Sequence, residues 1–381
     1  MKKILITICC ILAFIGVVVY NIQHEQKIHA GKFVVAVNMP LTGPSATYSG
    51  NEYKGLQMGI EDELTAQGLP LDSVVLDVKD NRSDATTGLS VLKLHEMKGF
   101  DAYFAGPTNV LDAVIPQLIK HNKPIFYRVW AQDVFDKGGQ LGVRIYSNLR
   151  MESEAVFKFI EQTKAKRIIF FAGNLSLYNE QWKYFIEPYC QKHNLDCDKV
   201  FYNVTERDLR TIVMKVKEQN PDLVVAAGYG LSFYQAMINL YQQELFGKKV
   251  IAPTNYSALI VSSDEVSDKM KQSFYFIADD YTLPEGTPQK STFIKRFKEK
   301  FGVYPVYNDA YAYDAGHLIV KAYAKKGKNV TTDDIVAETP YQGVTGHIVL
   351  DKENRDLISE HYIVHVNASG QIEKVDLGAI K

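Results

Sequence analysis

The sequence predicts an α/β protein with two lobes, each built on a doubly wound parallel sheet. Three observations lead to this fold class. The chain has 381 residues, which is too long for one ordinary hydrophobic core and suits two domains of comparable size. Short apolar segments alternate with segments of helical periodicity through most of its length. The same alternation starts again near residue 150, which places a second sheet after the first.

The two runs of alternating elements are similar in length. The first predicts strands at 33–38, 74–78, 102–105 and 125–127, and helices at 52–67, 85–97 and 110–121. The second predicts helices at 152–162, 181–193, 209–219 and 233–245, and strands at 168–172, 199–202, 223–227 and 250–252. Helices of this length suit right-handed crossovers between parallel strands, so we expect the runs to form two open sheets joined around 142–150.

The last part of the chain, about one hundred residues, is too small for a third domain. It contains helical segments at 290–301 and 310–325 and a predicted hairpin of 347–350 with 361–366. We expect it to return to both lobes. The predicted division gives residues 32–147 and 282–338 to lobe 1, and residues 148–281 and 339–381 to lobe 2.

The N-terminus has the pattern of an export signal. Lys2 and Lys3 precede an apolar run at 4–20, and a polar stretch follows. Cleavage after Ala30 and retention as a membrane anchor both remain open, because Ile28 stands where a small residue is preferred. Residues 1–31 are therefore predicted to be a signal peptide or an anchor. The remainder is expected in the periplasm or at the outer face of the cytoplasmic membrane.

Composition excludes some partners and suggests one covalent bond. The net charge of −1 provides no basic field for nucleic acid or for an anionic membrane surface. Cys190 and Cys197 are seven residues apart, and in an oxidising compartment they could close a small loop. Two unpaired thiols packed as small apolar groups are the alternative.

Signatures of catalysis, cofactors and metals are scarce. Residues 228–230, Gly-Tyr-Gly, follow a strand, but Phe233 occupies the third glycine position of a dinucleotide-binding loop. His361 and His365 would share one face of a strand, and without a third ligand nearby an exposed sheet face is the better interpretation than a metal site. We predict no catalytic residue, no cofactor and no metal.

Aromatic and polar residues cluster in the loops where open α/β sheets bind ligands, beyond the carboxyl ends of their strands. The candidates in these loops are Tyr48, Thr108, Asn109, Arg128, Trp130, Tyr178, Tyr229 and Tyr281. A cleft with many rings and few charges suits a small amphipathic ligand. The guanidinium of Arg128 suits a carboxylate, although a surface salt bridge is an equally good interpretation.

The order and spacing of several short motifs resemble the branched-chain amino-acid-binding proteins, which have the type I periplasmic-binding fold of import transporters. The motifs are PLTGP at 40–44, YKGL at 53–56, DNRSD at 80–84, AGP at 105–107, AYDA at 312–315 and YQGVTG at 341–346. The resemblance covers nearly all of residues 32–370. It implies three hinge crossovers, a ligand in the cleft between the lobes, and delivery to the membrane permease of an ABC transporter.

The binding positions of this family carry over unevenly. Tyr48 matches an aromatic position beside the ligand, and Thr108 keeps one hydroxyl of the loop that holds the ligand carboxylate. Trp130 and Ala131 stand where a small residue and a hydroxyl residue usually hold the head group. Thr254 replaces the acid that usually pairs with the ligand ammonium. Because that buried acid is missing, a carboxylate-bearing or neutral ligand is expected to fit better than a standard amino acid.

The expected function is therefore capture of a small molecule, which is an amino acid, an amide or a carboxylate-bearing compound, by hinge closure. The main alternative is a membrane-anchored sensor that uses the same fold to signal to a partner protein. An enzyme is the weaker alternative, and it would require a cleft residue with a strongly perturbed pKa.

Overall fold

The computed structural model describes residues 29–284, 287–376 and 378, together with residues 16, 20, 23, 24, 26 and 27. The predicted signal peptide or anchor thus lies largely outside the described residues. Within them, no helix has the length and apolarity needed to cross a membrane.

The described elements alternate as predicted. The strands are β1 Phe33–Met39, β2 Val74–Asp80, β3 Ala102–Ala105, β4 Ile125–Tyr127, β5 Gly142–Val143, β6 Arg167–Gly173, β7 Asp196–Tyr202, β8 Leu223–Ala227, β9 Gly247–Ala252, β10 Phe274–Ala278, β11 Tyr341–Gly343, β12 Gly346–Leu350, β13 Leu357–Ile358, β14 Tyr362–Val366 and β15 Ile372–Lys374. The helices are α1 Ala46–Ser49, α2 Glu52–Ala66, α3 Ala85–Lys98, α4 Thr108–Leu118, α5 Gln132–Asp136, α6 Leu149–Thr163, α7 Ser176–Gln181, α8 Glu187–Lys192, α9 Arg210–Glu218, α10 Gly230–Gln242, α11 Asp268–Lys271, α12 Pro288–Phe301, α13 Tyr307–Lys326 and α14 Thr332–Val336.

Two sheets organise the chain, which confirms the predicted fold class. The first is parallel, in the order β2-β1-β3-β4-β5. The second has the order β15-β14-β10-β9-β8-β6-β7; β14 pairs antiparallel with both β10 and β15, and the other pairs are parallel. All residues of β1 and β8 are buried, as expected for apolar strands covered by helices on both faces. The run 182–186 forms a π-helical turn that joins α7 to α8.

The C-terminal part returns to both cores, but the predicted hairpin is wrong. Strand β12 pairs with β11 and β13 in a small antiparallel sheet, and β14 pairs with β10 and β15. Ile348 and Leu357 pack in the core of the first sheet, whereas Val364 and Val366 pack in that of the second. The chain therefore changes core after Leu357, later than the predicted boundary at residue 339.

Helix α13 lies unusually close to α2. A Cβ atom added to Gly55 or Gly59 would stand 2.0 Å from the carbonyl oxygen of Asp309 or Tyr313, respectively. Side chains at these positions would force the two helices apart, since real Cβ atoms do not approach backbone so closely. The glycines thus set the position of the first turn of α13.

A buried hinge joins the two cores. Residues 144 and 356 form a parallel bridge, so the segments around them run side by side. Arg144 is fully buried and donates to both carboxylate oxygens of Asp356, at 2.8 and 2.6 Å. Asn148 donates to the same carboxylate, and Ser147 hydrogen-bonds His361 at 2.8 Å. Charge pairing and hydrogen bonds therefore hold these crossing segments together.

Candidate ligand-binding cleft

The first-lobe side of the cleft is built on Arg128, which follows β4. Its Nε atom donates to Glu52 Oε1 at 2.7 Å, and the Arg128 side chain is 16% exposed. Glu52 lies in the first turn of α2 and is 1% exposed. Burial raises the pKa of Glu52 to about 7, although the Arg128 charge opposes that rise. Arg128 thus already has an acidic partner within its own lobe.

Beneath Arg128 lies a small cavity of about 10 Å³. Its lining comprises Glu52, Phe104, Phe126, Tyr127, Arg128, Ile145, Tyr146, Asn308, Tyr311, Ala312 and Ala315. This volume suits about one water molecule. A ligand therefore has no room behind Arg128 in this conformation and would have to bind on the cleft side.

The second-lobe side is built on Glu152, in the first turn of α6. The side chain of Asn148 caps this helix by accepting from the backbone N–H of Met151 at 3.1 Å. Glu152 is 1% exposed, and its Oε1 accepts from the backbone N–H of Thr254 at 2.9 Å. Burial raises the pKa of Glu152 to about 7. The helix start and the loop after β9 thereby hold a carboxyl group at the cleft.

Tyrosines from both lobes surround these acids. The hydroxyl of Tyr146 donates to Asn308 Oδ1 and interacts with that of Tyr307. Tyr178 is 1% exposed, and among the described residues its hydroxyl has no hydrogen-bond partner. Electrostatic interactions link Tyr178 to Glu152, Tyr229 and Tyr307. An unpartnered buried hydroxyl is costly, so this group is available to a ligand.

One carboxylate connects the lobes directly. Glu180, in α7 of the second lobe, accepts the backbone N–H groups of Gln132 at 3.0 Å and Asp133 at 3.3 Å. These are the first residues of α5 in the first lobe, where free N–H groups favour a negative charge. Leu177 beside it packs against core residues of both lobes. Both contacts close the edge of the cleft.

The structure brings several of the predicted site residues together. Arg128 interacts electrostatically with the half-exposed Tyr229, Tyr178 lies near Tyr229, and Thr254 holds Glu152. Trp130 is half-buried on the first core, and its carbonyl accepts from Arg144 at 3.4 Å.

Other predicted residues have different surroundings. Ala131 is buried as the N-cap of α5, and Thr108 is half-buried at the start of α4. The exposed Asn109 donates to the carbonyl of Ser83 at 2.9 Å. Tyr281 packs in a separate apolar cluster, and its hydroxyl donates a hydrogen bond to the carbonyl oxygen of Pro305. Tyr48 lies in α1, and its side chain lies outside the described part of the chain.

Sequence reasoning missed the acids that dominate the cleft. Glu52 and Glu152 each lie in the first turn of a helix. An acidic side chain there is usually explained by its favourable interaction with the helix dipole. Their partners are 76 and 102 residues away in sequence. A useful signal would have been that both helices start at the predicted ligand-binding edge.

One of the two histidines, His361, differs from prediction. His361 is buried at the hinge rather than on an exposed sheet face, because the segment before β14 packs against Ser147. His365 pairs with Glu373 at 3.0 Å on β15. Within the described ranges, no group of three or more potential ligand side chains could hold a metal ion.

A family model described as periplasmic binding protein matches residues 32–371. Comparison with curated protein sequences gives no significant match.

Solved structures similar to this chain include three binding proteins. The leucine-binding protein LivK from Thermotoga maritima is 19% identical with a TM-score of 0.72, covering 90% of this chain and 97% of that chain. LivJ from Streptococcus pneumoniae, solved with isoleucine, is 18% identical with a TM-score of 0.74 and covers 90% and 98%. A solute-binding protein of an ABC transporter from Rhodopseudomonas palustris, solved with 3,4-dihydroxybenzoic acid, is 17% identical with a TM-score of 0.72 and covers 91% and 96%. At these identities the likeness shows a shared fold.

Proposed function

The chain belongs to the periplasmic binding protein family, as its motifs predicted, and from this membership we propose that it is an exported protein that captures a small molecule between its two lobes. Hinge closure traps the ligand without chemical change, and the closed form delivers it to the permease of an ABC transporter. The observation that carries this proposal is the convergence of polar and aromatic side chains from both lobes on one cleft. Tyr307 from the first lobe interacts there with Glu152 from the second.

A ligand screen with two readouts tests this function. Binding to the folded state raises the unfolding temperature, and at 100 times Kd it adds about 2.7 kcal/mol of stability. We expect one class of small molecules to raise Tm by several degrees and to reduce the radius of gyration in small-angle X-ray scattering. The same mixture, analysed by mass spectrometry after incubation, should contain the ligand unchanged. Ligand turnover, or binding without compaction, would contradict capture by closure.

The contact between the lobes makes a separate prediction. Glu180→Ala removes a charged acceptor from two N–H groups of α5, and this contact exists only when the lobes are together. At about 1–1.5 kcal/mol for such hydrogen bonds, the Kd of a ligand found in the screen should rise about five- to tenfold. Calorimetric titration measures the change. Glu206→Ala, an exposed acid of the second lobe, is the control and should bind as the wild type does. Equal affinities for both variants would show that the contact does not favour closure.

A further inference from the structure

Glu152 is a buried acid that lacks a cation. Among the described residues, its hydrogen bonds come from Thr254 alone, and no Lys, Arg or His forms an ion pair with it. A buried carboxylate without a counter-charge is costly, and proteins usually avoid it or reserve it for a partner. Glu152 is therefore a buried acid in the cleft for which the described residues provide no positive charge.

The groups that face Glu152 come from four elements, and none is cationic. Thr254 follows β9, Tyr178 lies in α7, and Tyr307 begins α13. Asp279, after β10, is the remaining charged neighbour, and it raises the pKa of Glu152. Asp279 already has its own donors in Thr282 and Tyr311, so it needs nothing further.

The first lobe does not supply the missing charge. Arg128 forms its ion pair with Glu52, and both are largely buried. Asp309, at the start of α13, adds another buried carboxyl group near Arg128. Acids therefore outnumber bases around the cleft. A ligand carboxylate would find the Nε atom of Arg128 already bound to Glu52, and it would lie near the two buried acids Glu52 and Asp309.

We propose that the ligand carries a protonated amine that pairs with Glu152, and that it has no free carboxylate. This inference rests on the proposed function, because it assumes that the cleft is the binding site. The tyrosine hydroxyls and rings of the cleft would accept the remaining N–H groups and cover the apolar part of such an amine. A small amine, rather than an amino acid or an organic acid, is the class of solute that this chain selects.

This assignment has a proton signature. Glu152 has a pKa of about 7 in the empty protein, so it is largely protonated below neutrality. Pairing with an ammonium group requires the carboxylate and therefore releases its proton. Amine affinity should then rise between pH 5.5 and pH 8, by about tenfold or more.

Matched ligands test the inference. Tyramine, tyrosine and 3-(4-hydroxyphenyl)propionate share one ring and differ only in amine and carboxylate; isoamylamine, leucine and 4-methylpentanoate form a second such set. Each would be measured by thermal shift and calorimetry alongside a library of small primary amines. We expect amines alone to bind. In Glu152→Gln the affinity for the bound amine should fall roughly 30-fold or more and lose its pH dependence. Glu154→Gln, an exposed acid on the same helix, should retain both.

The outcomes separate this inference from the proposed function. If amino acids or carboxylates bind and compact the protein while amines do not, the function stands and the ligand class is overturned. Amine binding that survives Glu152→Gln overturns the role of Glu152. If no compound of any class binds, the capture function itself falls, and the ligand class falls with it.

Discussion

Replacing Arg144 by methionine should lower the free energy of unfolding by about 3–5 kcal/mol. The guanidinium is fully buried and pairs with Asp356 through two oxygens. Methionine fills similar space but leaves the Asp356 carboxylate buried, with Asn148 as its remaining side-chain donor at 3.1 Å and the part-exposed Arg150 guanidinium at 4.0 Å. A buried charge that keeps only this weaker compensation is the reason for the large loss. Urea unfolding followed by circular dichroism measures it.

The same substitution should also disturb the cleft. Arg144 donates to the carbonyl oxygens of Val129 and Trp130 and to Gln132 Oε1, so it holds the loop that carries Arg128. A control variant distinguishes the loss of this buried ion pair from the loss of an arginine side chain in general. Arg210→Met breaks an ion pair whose side chains are 69% and 58% exposed, and it should leave the free energy of unfolding almost unchanged.

A double variant checks the physical cause. In Arg144→Met combined with Asp356→Leu, the poorly compensated buried carboxylate is removed as well, and a large part of the lost stability should return. If the single variant loses less than about 1 kcal/mol, or if the double variant is no better, the hinge does not depend on this ion pair.

Glu152→Gln should stabilise the empty protein, and the gain should grow with pH. The pKa of Glu152 is about 7 in the folded protein against an ordinary value of 4.5. Between pH 4.5 and pH 7 the folded state binds more protons at Glu152 than the unfolded state does. The contribution of Glu152 to the free energy of unfolding therefore falls as the pH rises. The difference of 7 − 4.5 units corresponds to about 3 kcal/mol, lost fully above pH 7. Glutamine carries no charge at either pH and keeps an oxygen for Thr254.

Urea unfolding of both proteins at pH 5 and pH 8 measures the effect. Near pH 5 the variant and the wild type should differ little, and at pH 8 the variant should be more stable by about 3 kcal/mol. Glu52 and Asp309 titrate in the same range, but they are present in both proteins and cancel in the difference. Glu154→Gln provides the control. A stability difference that does not change with pH would show that Glu152 ionises normally.

These two residues show how hinge and cleft are connected. Arg144 holds together the crossing segments and the loop of Arg128, while Glu152 lies in the first turn of the helix that follows the crossing. A strong, satisfied ion pair lies at the hinge, and an acid with an unmet charge requirement lies in the cleft. The ion pair stabilises the segments where the lobes join. The unfavourable burial of Glu152 lies instead in the cleft, where a bound cation would relieve it.

Most of the fold was predictable because it depends on local patterns. Strands such as β1 and β8 are continuous apolar runs, and the helices between them have clear periodicity. The strand β10 was missed, although it lies in the middle of the second sheet between β9 and β14. Its five residues, Phe274–Ala278, follow a short helix without the longer helix that marked the other strands. The wrong hairpin has a similar cause, since alternation shows that a strand has an exposed face but not which strand it joins.

The α/β class, the two runs of elements and the family could all be predicted from the amino-acid sequence. Each of these follows from residue type and spacing within a few dozen positions. The pairing of charges in the cleft could be seen only in the folded structure. Arg128 is a candidate anion site in the sequence, but Glu52, 76 residues earlier, already pairs with it. Glu152 is an ordinary first-turn acid in the sequence, but folding buries it beside Thr254 without a cation. Burial and pairing depend on distances in space between remote residues, and these set the pKa values and the ligand that the cleft favours.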